Sequence, residues 1–382
     1  MSLRTLARAA ALGLITFVVM LSFATPVAAH GRGTESTNFR SRITAAPEIP
    51  GVTWSIYGGD QYLAVHNTTD TEVIVEGYEG EPYARIGPEG VLVNLASEAT
   101  YVNEDRYAQV AVPAEVGRDF EPRWDTVFEE PTFAWHDHRI HWMSAQLPPA
   151  VTDPSERVTV PMGTEESGEW SVPFTHGDDT YEVRGVLEWV PPPSPVPWLG
   201  LALVLTLPAL LGLRNASSGP PSVQTATSDS TGVQRWVRSV VSPAAVVLGA
   251  VSLLNLTHLV DDLVAVPLPL TSVLVSAVQT TLFIALGVFG AVVAYRGRDG
   301  AFTALGVGSL GILVGQGLLY VDVLRYSQSA SVFPAWSAML IVALSLMQAL
   351  PVGTVAFIGN RRLAAVAVEE EPVAAEVHHP GA

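Results

Sequence analysis

Residues 181–204 read Tyr-Glu-Val-Arg-Gly-Val-Leu-Glu-Trp-Val-Pro-Pro-Pro-Ser-Pro-Val-Pro-Trp-Leu-Gly-Leu-Ala-Leu-Val. In the first nine, Tyr181, Val183, Leu187 and Trp189 fall on one face, with Gly185 among them. Glu182, Arg184 and Glu188 fall on the other. This period-two alternation predicts a half-buried strand. Pro191-Pro192-Pro193-Ser194-Pro195 is a stiff spacer that ends it. Beyond the prolines the sequence turns continuously apolar, as a membrane helix requires. The expected architecture is thus a β domain followed by a membrane-spanning α region.

Upstream, further strands are expected at Val52–Tyr57, Tyr62–His66, Glu72–Gly77, Val91–Leu95, Tyr107–Val112, Thr132–His136, Arg157–Val160 and Glu169–Phe174. Clusters of Gly, Pro, Asn and Asp separate them. Many short strands without a long helical period predict an antiparallel β-sandwich over residues 30–190. Cupredoxin-like and immunoglobulin-like topologies both fit. His30 to about Pro47 is polar and reads as loosely held.

Downstream, residues 191–196 form the spacer, and residues 197–360 hold five apolar spans. They lie near Pro197–Leu213, Val240–Leu259, Leu268–Tyr295, Ala301–Tyr320 and Ala335–Ile358. Each is close to the ~20 residues that cross the hydrocarbon core, the first being short. Arg214, Arg235 and Arg238 follow the first span, Arg296 and Arg298 the third, and Arg361 and Arg362 the fifth. Only Arg325 lies on the other side, with Asp261, Asp262 and Asp322. The positive-inside rule then puts the β domain outside and the C-terminus inside a bacterial cytoplasmic membrane. Asn215 to Gly232 reads as a disordered loop, and residues 361–382 as a cytoplasmic tail carrying His378-His379.

The N-terminus agrees with that orientation. Arg4 and Arg8, the apolar run Ala9–Phe23 and the small residues Val27-Ala28-Ala29 make residues 1–29 a secretory signal peptide. Cleavage there leaves His30 as the first mature residue. The chain has no Cys, so the exported domain must be held by its own core. All 20 basic residues are Arg, a usage expected of a GC-rich, actinobacterial genome. From His30 to Val190 there are 28 Asp and Glu against 10 Arg, within a net charge of -17 for the whole chain. Such a surface repels nucleic acid and favours cations.

Trp135-His136-Asp137-His138-Arg139-Ile140-His141-Trp142 concentrates three histidines. On a continuing strand His136 and His138 share a face, with Asp137 and Arg139 on the other. His141 joins them only if the chain turns after Arg139. An N-terminal His30 adds its α-amine and ring nitrogen, and nitrogen-only tetragonal sets suit Cu(II). Zinc is the alternative, since three His with an open position suit it as well. The zinc-hydrolase pattern H-x-H-x-D-H is broken at Ile140. His66 and His176 stand alone and read as satisfied structural residues.

On His30, His136 and His138 the chain resembles histidine-brace copper proteins. These are the copper-carrying periplasmic CopC proteins and the soluble β-domain part of particulate methane monooxygenase. It is also similar to actinobacterial membrane proteins with a W-H-D-H-R-x-H-W segment. The resemblance implies a copper site at the cell surface, serving acquisition, tolerance or delivery to a donor or acceptor protein of the envelope. It covers only these residues and the architecture. The extra His141 and the single β domain depart from the monooxygenase, so catalysis is not expected. A metal-free envelope interaction protein and a copper-dependent oxidase-like subunit are the alternative readings. No P-loop, dinucleotide fingerprint or nucleophile elbow is present.

Within the spans, Asn255, His258 and Asp262 recur at i, i+3 and i+7 and share one helical face. Gln279, Gln316 and Gln348 lie in other spans. The simplest expectation is that the second span leaves the bilayer at His258. Six Met and no Cys leave few soft ligands for Cu(I).

Overall fold

A computed structural model describes residues 36–162, 168–220, 230–268 and 270–376. The expected signal peptide, His30 and the tail's His378-His379 lie outside them.

The N-terminal region contains two antiparallel sheets. Its strands are β1 (Phe39–Ala45), β2 (Val52–Tyr57), β3 (Tyr62–Asn67), β4 (Val73–Glu76), β5 (Pro82–Gly87) and β6 (Gly90–Asn94). They continue with β7 (Trp124–Phe128), β8 (Thr132–Trp135), β9 (Val158–Val160), β10 (Trp170–His176) and β11 (Asp179–Trp189). The larger sheet runs β1-β11-β10-β4-β5-β6-β7, with β9 also on β11; the smaller runs β2-β3-β8. Leu63, Val65, Phe133 and Trp135 of the small sheet pack with Val73, Val75, Ile86, Trp170, Val172, Phe174 and Val183 of the large one. This shared apolar layer stabilises the sandwich without disulfides.

β11 is the strand expected from the alternation. Val183, Leu187 and Trp189 are buried, and Glu182 pairs with Arg184 on the outer face. Gly185 faces Trp170 so closely that a Cβ there would enter the indole ring. Three strands were not expected. β1 pairs with β11 over Phe39↔Trp189 to Ala45↔Arg184, so the polar segment before Pro47 is ordered by backbone pairing. β5 and β7 were hidden by Pro82 and by charged flanks. Conversely, Tyr107–Val112 forms no strand, and the chain from Asn103 to Arg123 is largely irregular.

The C-terminal region has five helical segments long and apolar enough to span a membrane: Val196–Ala216, Thr231–Val264, Val273–Tyr295, Ala301–Leu318 and Ala335–Ala365. Their principal helices are α1 (Val196–Thr206), α2 (Ser230–Leu254), α3 (Leu256–Val264), α4 (Leu270–Tyr295), α5 (Ala301–Ile312), α6 (Ala335–Met347) and α7 (Ala349–Glu376). The second span is longer at both ends than expected. It begins inside the segment read as disordered and continues past His258 to Val264. Helix also extends into the expected tail, as far as Glu376. Gly290 and Gly308 let α4 and α5 approach until their backbones touch, the small-residue packing typical of membrane helices.

The bundle has two chemically different ends. At one, Arg238 lies over the Tyr295 ring and against Gly297, joining the Arg-rich loops. At the other, Thr37 and Gln328 form a two-residue antiparallel bridge. Ser327 donates to the Val190 carbonyl, and Ala64 and Ala134 pack on Val266. The β domain therefore sits on the Arg-poor end.

Candidate metal centre

The His-rich segment is shaped by its two charged residues. β8 stops at Trp135, whose indole N–H donates to Asp137 Oδ2 at 2.8 Å. Asp137 is fully buried and accepts from the Arg139 backbone N–H at 3.0 Å and from its guanidinium at 2.7 and 2.8 Å. Ile140 N–H closes the turn onto the Asp137 carbonyl, and its side chain enters the core. Arg139 is held further by the Glu76 carbonyl and the Tyr78 ring. An aspartate that captures its own backbone two residues on makes a turn in place of more strand.

This corrects the strand-face expectation. His136 and His138 leave the sheet, and Asp137 and Arg139 point inward as a buried ion pair. The turn after Arg139 carries His141 back beside the other two. Ring centroids are 4.3 Å apart for His136 and His141, 5.1 Å for His138 and His141, and 5.7 Å for His136 and His138. One ligating nitrogen from each lies within 4.8 Å of the others, so the three could hold one metal ion.

Each ring is oriented by one hydrogen bond that leaves the second nitrogen free. His138 Nε2–H donates to the Asp105 carbonyl at 3.0 Å, so the lone pair is on Nδ1. His141 Nδ1–H donates to the Trp142 carbonyl at 3.2 Å. His136 is held by the Gln61 backbone. The Nε2 atoms of His136 and His141 are buried with no hydrogen-bond partner among the described residues. Buried orphaned lone pairs are costly and need an explanation. A metal ion supplies one, and backbone carbonyls that orient ligating imidazoles are the usual outer support.

Burial and positive neighbours keep these rings neutral. His136 is lowered to about 4, chiefly by burial, then by the Arg106 and His138 charges. Burial also lowers His138. His141 is pushed furthest below the usual imidazole range, by burial and then by the His136 charge.

Several supporting residues carried no sequence signal. Tyr78 stacks on His138 at 5.8 Å, accepts from its backbone N–H at 2.9 Å and donates to Asn103. Tyr62 meets His136 edge-on. Asp60, fully buried, pairs with Arg106 at 2.7 Å. Burial outweighs that pairing and pushes the Asp60 carboxyl up to about 6. Asp105 and Arg106 come from the irregular segment that was expected to lead into a strand.

The remaining histidines are elsewhere. His66 bonds Thr132 and His176 bonds Thr69, as expected of satisfied structural residues. Asn255, His258 and Asp262 lie within the bundle and do not join the three-His group.

The chain matches no family model, no curated protein and no solved structure.

Proposed function

We propose that the chain is a multi-pass membrane protein whose exported β domain binds copper, in acquisition, tolerance or delivery to an envelope partner. The observation that carries this is the gathering of His136, His138 and His141, each with one ring nitrogen within 4.8 Å of the others and each ring held by a backbone hydrogen bond through one nitrogen. Cu(II) lies at the top of the divalent affinity order for nitrogen sets, and no carboxylate or thiolate belongs to this group. Bound there, copper would be kept as cargo or cofactor by rings that need shed no proton to receive it.

His30 supplies the fourth position in this reading. Thr37, where the described chain begins to pair, hydrogen-bonds Asp60, and Asp60 pairs with Arg106. Arg106 acts electrostatically on all three rings. Seven residues of extended chain span up to ~25 Å, ample for His30 to return to the site. The Arg-poor end of the bundle faces outward in this reading, following the positive-inside rule.

The test is titration of the purified full chain with Cu(II) and Zn(II), wild type against His141→Ala, His136→Ala and His30→Ala, with paramagnetic resonance for the copper samples. Loss of one tight site in the first two variants, and altered copper parameters in the third, are expected. Equal binding in wild type and His141→Ala overturns the site. Tighter zinc than copper binding reassigns the metal.

A further inference from the structure

The second span is broken inside the bundle. α2 ends at Leu254, α3 begins at Leu256, and Asn255 between them donates to the Val251 carbonyl and to Ser345. Opposite this break the fourth span loses its regular helix. Leu313–Leu318 is a π-helical turn, with Gly315 against the Phe283 ring and Gln316 fully buried. Such turns recur at functional sites because they release backbone and side chains from the regular ladder.

His258 lies between these two irregularities, only 3% exposed. Its Nδ1–H donates to Gln316 Oε1 at 3.0 Å. The Nε2 of His258 and the amide nitrogen of Gln316 are both buried with no hydrogen-bond partner among the described residues. The Tyr320 ring stacks on the imidazole, centroids 4.3 Å apart. Apolar side chains at both 258 and 316 would fill this space without the cost of two orphaned polar atoms.

A row of exchangeable groups runs from this ring toward the end that carries the β domain. Tyr320 Oη and Thr280 Oγ1 are 2.9 Å apart. Thr280 Oγ1 donates to Asp262 Oδ2 at 2.6 Å, and Ser276 donates to Asp262 Oδ1 at 2.7 Å. Asp262 is half-buried, one helical turn from His258. The titratable groups around the ring are Asp261 and Asp262 on its own helix and Tyr320 beyond the π turn. α4 and α6 contribute hydroxyls and Gln348 follows them. Asp322 and Arg325 pair with each other beyond Tyr320.

The chemistry of this place selects its ligand. Among the described residues, the three-His group in the β domain is the only group of three or more His, Asp or Glu close enough to share a metal. His258 belongs to no such group. No Arg lies within the row to hold an anion. What remains is a lone pair that can take a proton. Ionisable side chains inside a membrane bundle mark such pathways.

We propose that His258 is an intramembrane proton-binding site, loaded from the β-domain side through Asp262, Thr280 and Tyr320. The carboxylate of Asp262 takes a proton from the aqueous phase. The hydroxyls of Thr280 and Tyr320 each accept one proton and release their own. His258 Nε2, which no hydroxyl reaches in the resting arrangement, accepts the last once the stacked Tyr320 swings its hydroxyl onto it, and becomes imidazolium while Nδ1–H stays on Gln316. One proton enters and no electrons move.

The test uses the full chain in lipid vesicles with nitrogen-15 histidine, read by solid-state NMR. The His258 signal is identified by its coupling to Gln316 and by its loss in His258→Gln. In wild type its Nε2 resonance stays unprotonated near neutral pH, because burial disfavours the imidazolium, and moves to the protonated position as the pH falls from about 6 to about 3. Asp262→Asn and Thr280→Val reach the same end point with proton exchange slowed by more than about tenfold. An Nε2 resonance that stays unprotonated throughout overturns the site. Equal exchange rates in wild type and both variants overturn the route. The wild-type reading stands whether or not His258→Gln folds.

Discussion

Metal binding by three ordinary imidazoles at pH 6 would release about 2.3 protons, because each ring with a pKa near ~6.5 is about three-quarters protonated there. The site described here should release far fewer. His136, at about 4, carries only about 0.01 proton at pH 6. His138 and His141 are shifted in the same direction, His141 further. The sign follows directly: a lowered pKa means protons compete with the metal only below the shifted value. Between pH 7.5 and 5, each ordinary ring would lose roughly 30-fold in affinity, or about 6 kcal/mol for three. Here His136 loses about 1.1-fold over the same interval. The assay is calorimetric metal titration at pH 6 in buffers of different ionisation enthalpy, which counts protons released per ion. It is run first on His30→Ala, where the N-terminal ring chelate cannot form. A count well under one is expected. Two or more would refute the claim that burial holds the rings neutral and ready. The wild-type count minus the variant count reports His30. About 1.7 extra protons, from an amine near ~7.7 and an ordinary ring, mark a brace, and none marks a site of three rings alone.

The same shifts act on the metal-free fold. From pH 6.5 down to 4, His136 removes about 3 kcal/mol of stability as the pH falls, while Asp60 returns about 2 kcal/mol as it protonates below 6. The uncompensated loss comes from His138 and His141, so thermal melts should show acid destabilisation that is reduced in His141→Phe. Asp137→Asn leaves the buried Arg139 guanidinium without its counter-charge and should cost about 3–5 kcal/mol in denaturant melts, with metal binding lost along with the turn. Thr37 and Gln328 exchange both backbone hydrogen bonds, which sets their Cα atoms about 5.5 Å apart, inside disulfide range. In a chain without other Cys, Thr37→Cys with Gln328→Cys should oxidise to one intramolecular disulfide, seen as a mobility shift that dithiothreitol reverses. Absence of the bond would contradict the docking of β1 on the bundle.

The elements with strong period were readable in the sequence. β11 alternates without interruption because one face meets the core and the other meets water. The five spans are apolar over their length because lipid surrounds them. β1 was not readable, since its order comes from pairing with β11, 139 to 150 residues away, and not from its own polar side chains. The three histidines were visible as a cluster, but their geometry was not. Period-two reasoning assumes the strand continues, whereas Asp137 competes for the backbone and wins with help from the buried Arg139 and Ile140. The residues that orient the rings, Gln61 and Asp105, act through backbone atoms and have no side-chain signature. His258 was legible as a polar residue on a helical face. Its burial was not, because the span's true end at Val264 depends on helix packing around Asn255.

These pieces meet at Gly59 to Tyr62, where the turn after β2 enters β3. Gly59 adopts φ +80, and a Cβ there would fall 2.7 Å from both the Phe39 carbonyl and Gln328 Cβ. Only glycine lets the turn seat on the loop at the bundle's Arg-poor end. The next residue, Asp60, holds Arg106, whose neighbour Asp105 orients His138. Gln61, one further, orients His136, and Tyr62 lies between His136 and the patch formed with Val266 and Leu268. Four consecutive residues therefore touch the membrane loop, the buried ion pair and the metal ligands in turn. The rings that could hold a metal and the loops at the Arg-poor end of the bundle thus rest on one short stretch of backbone.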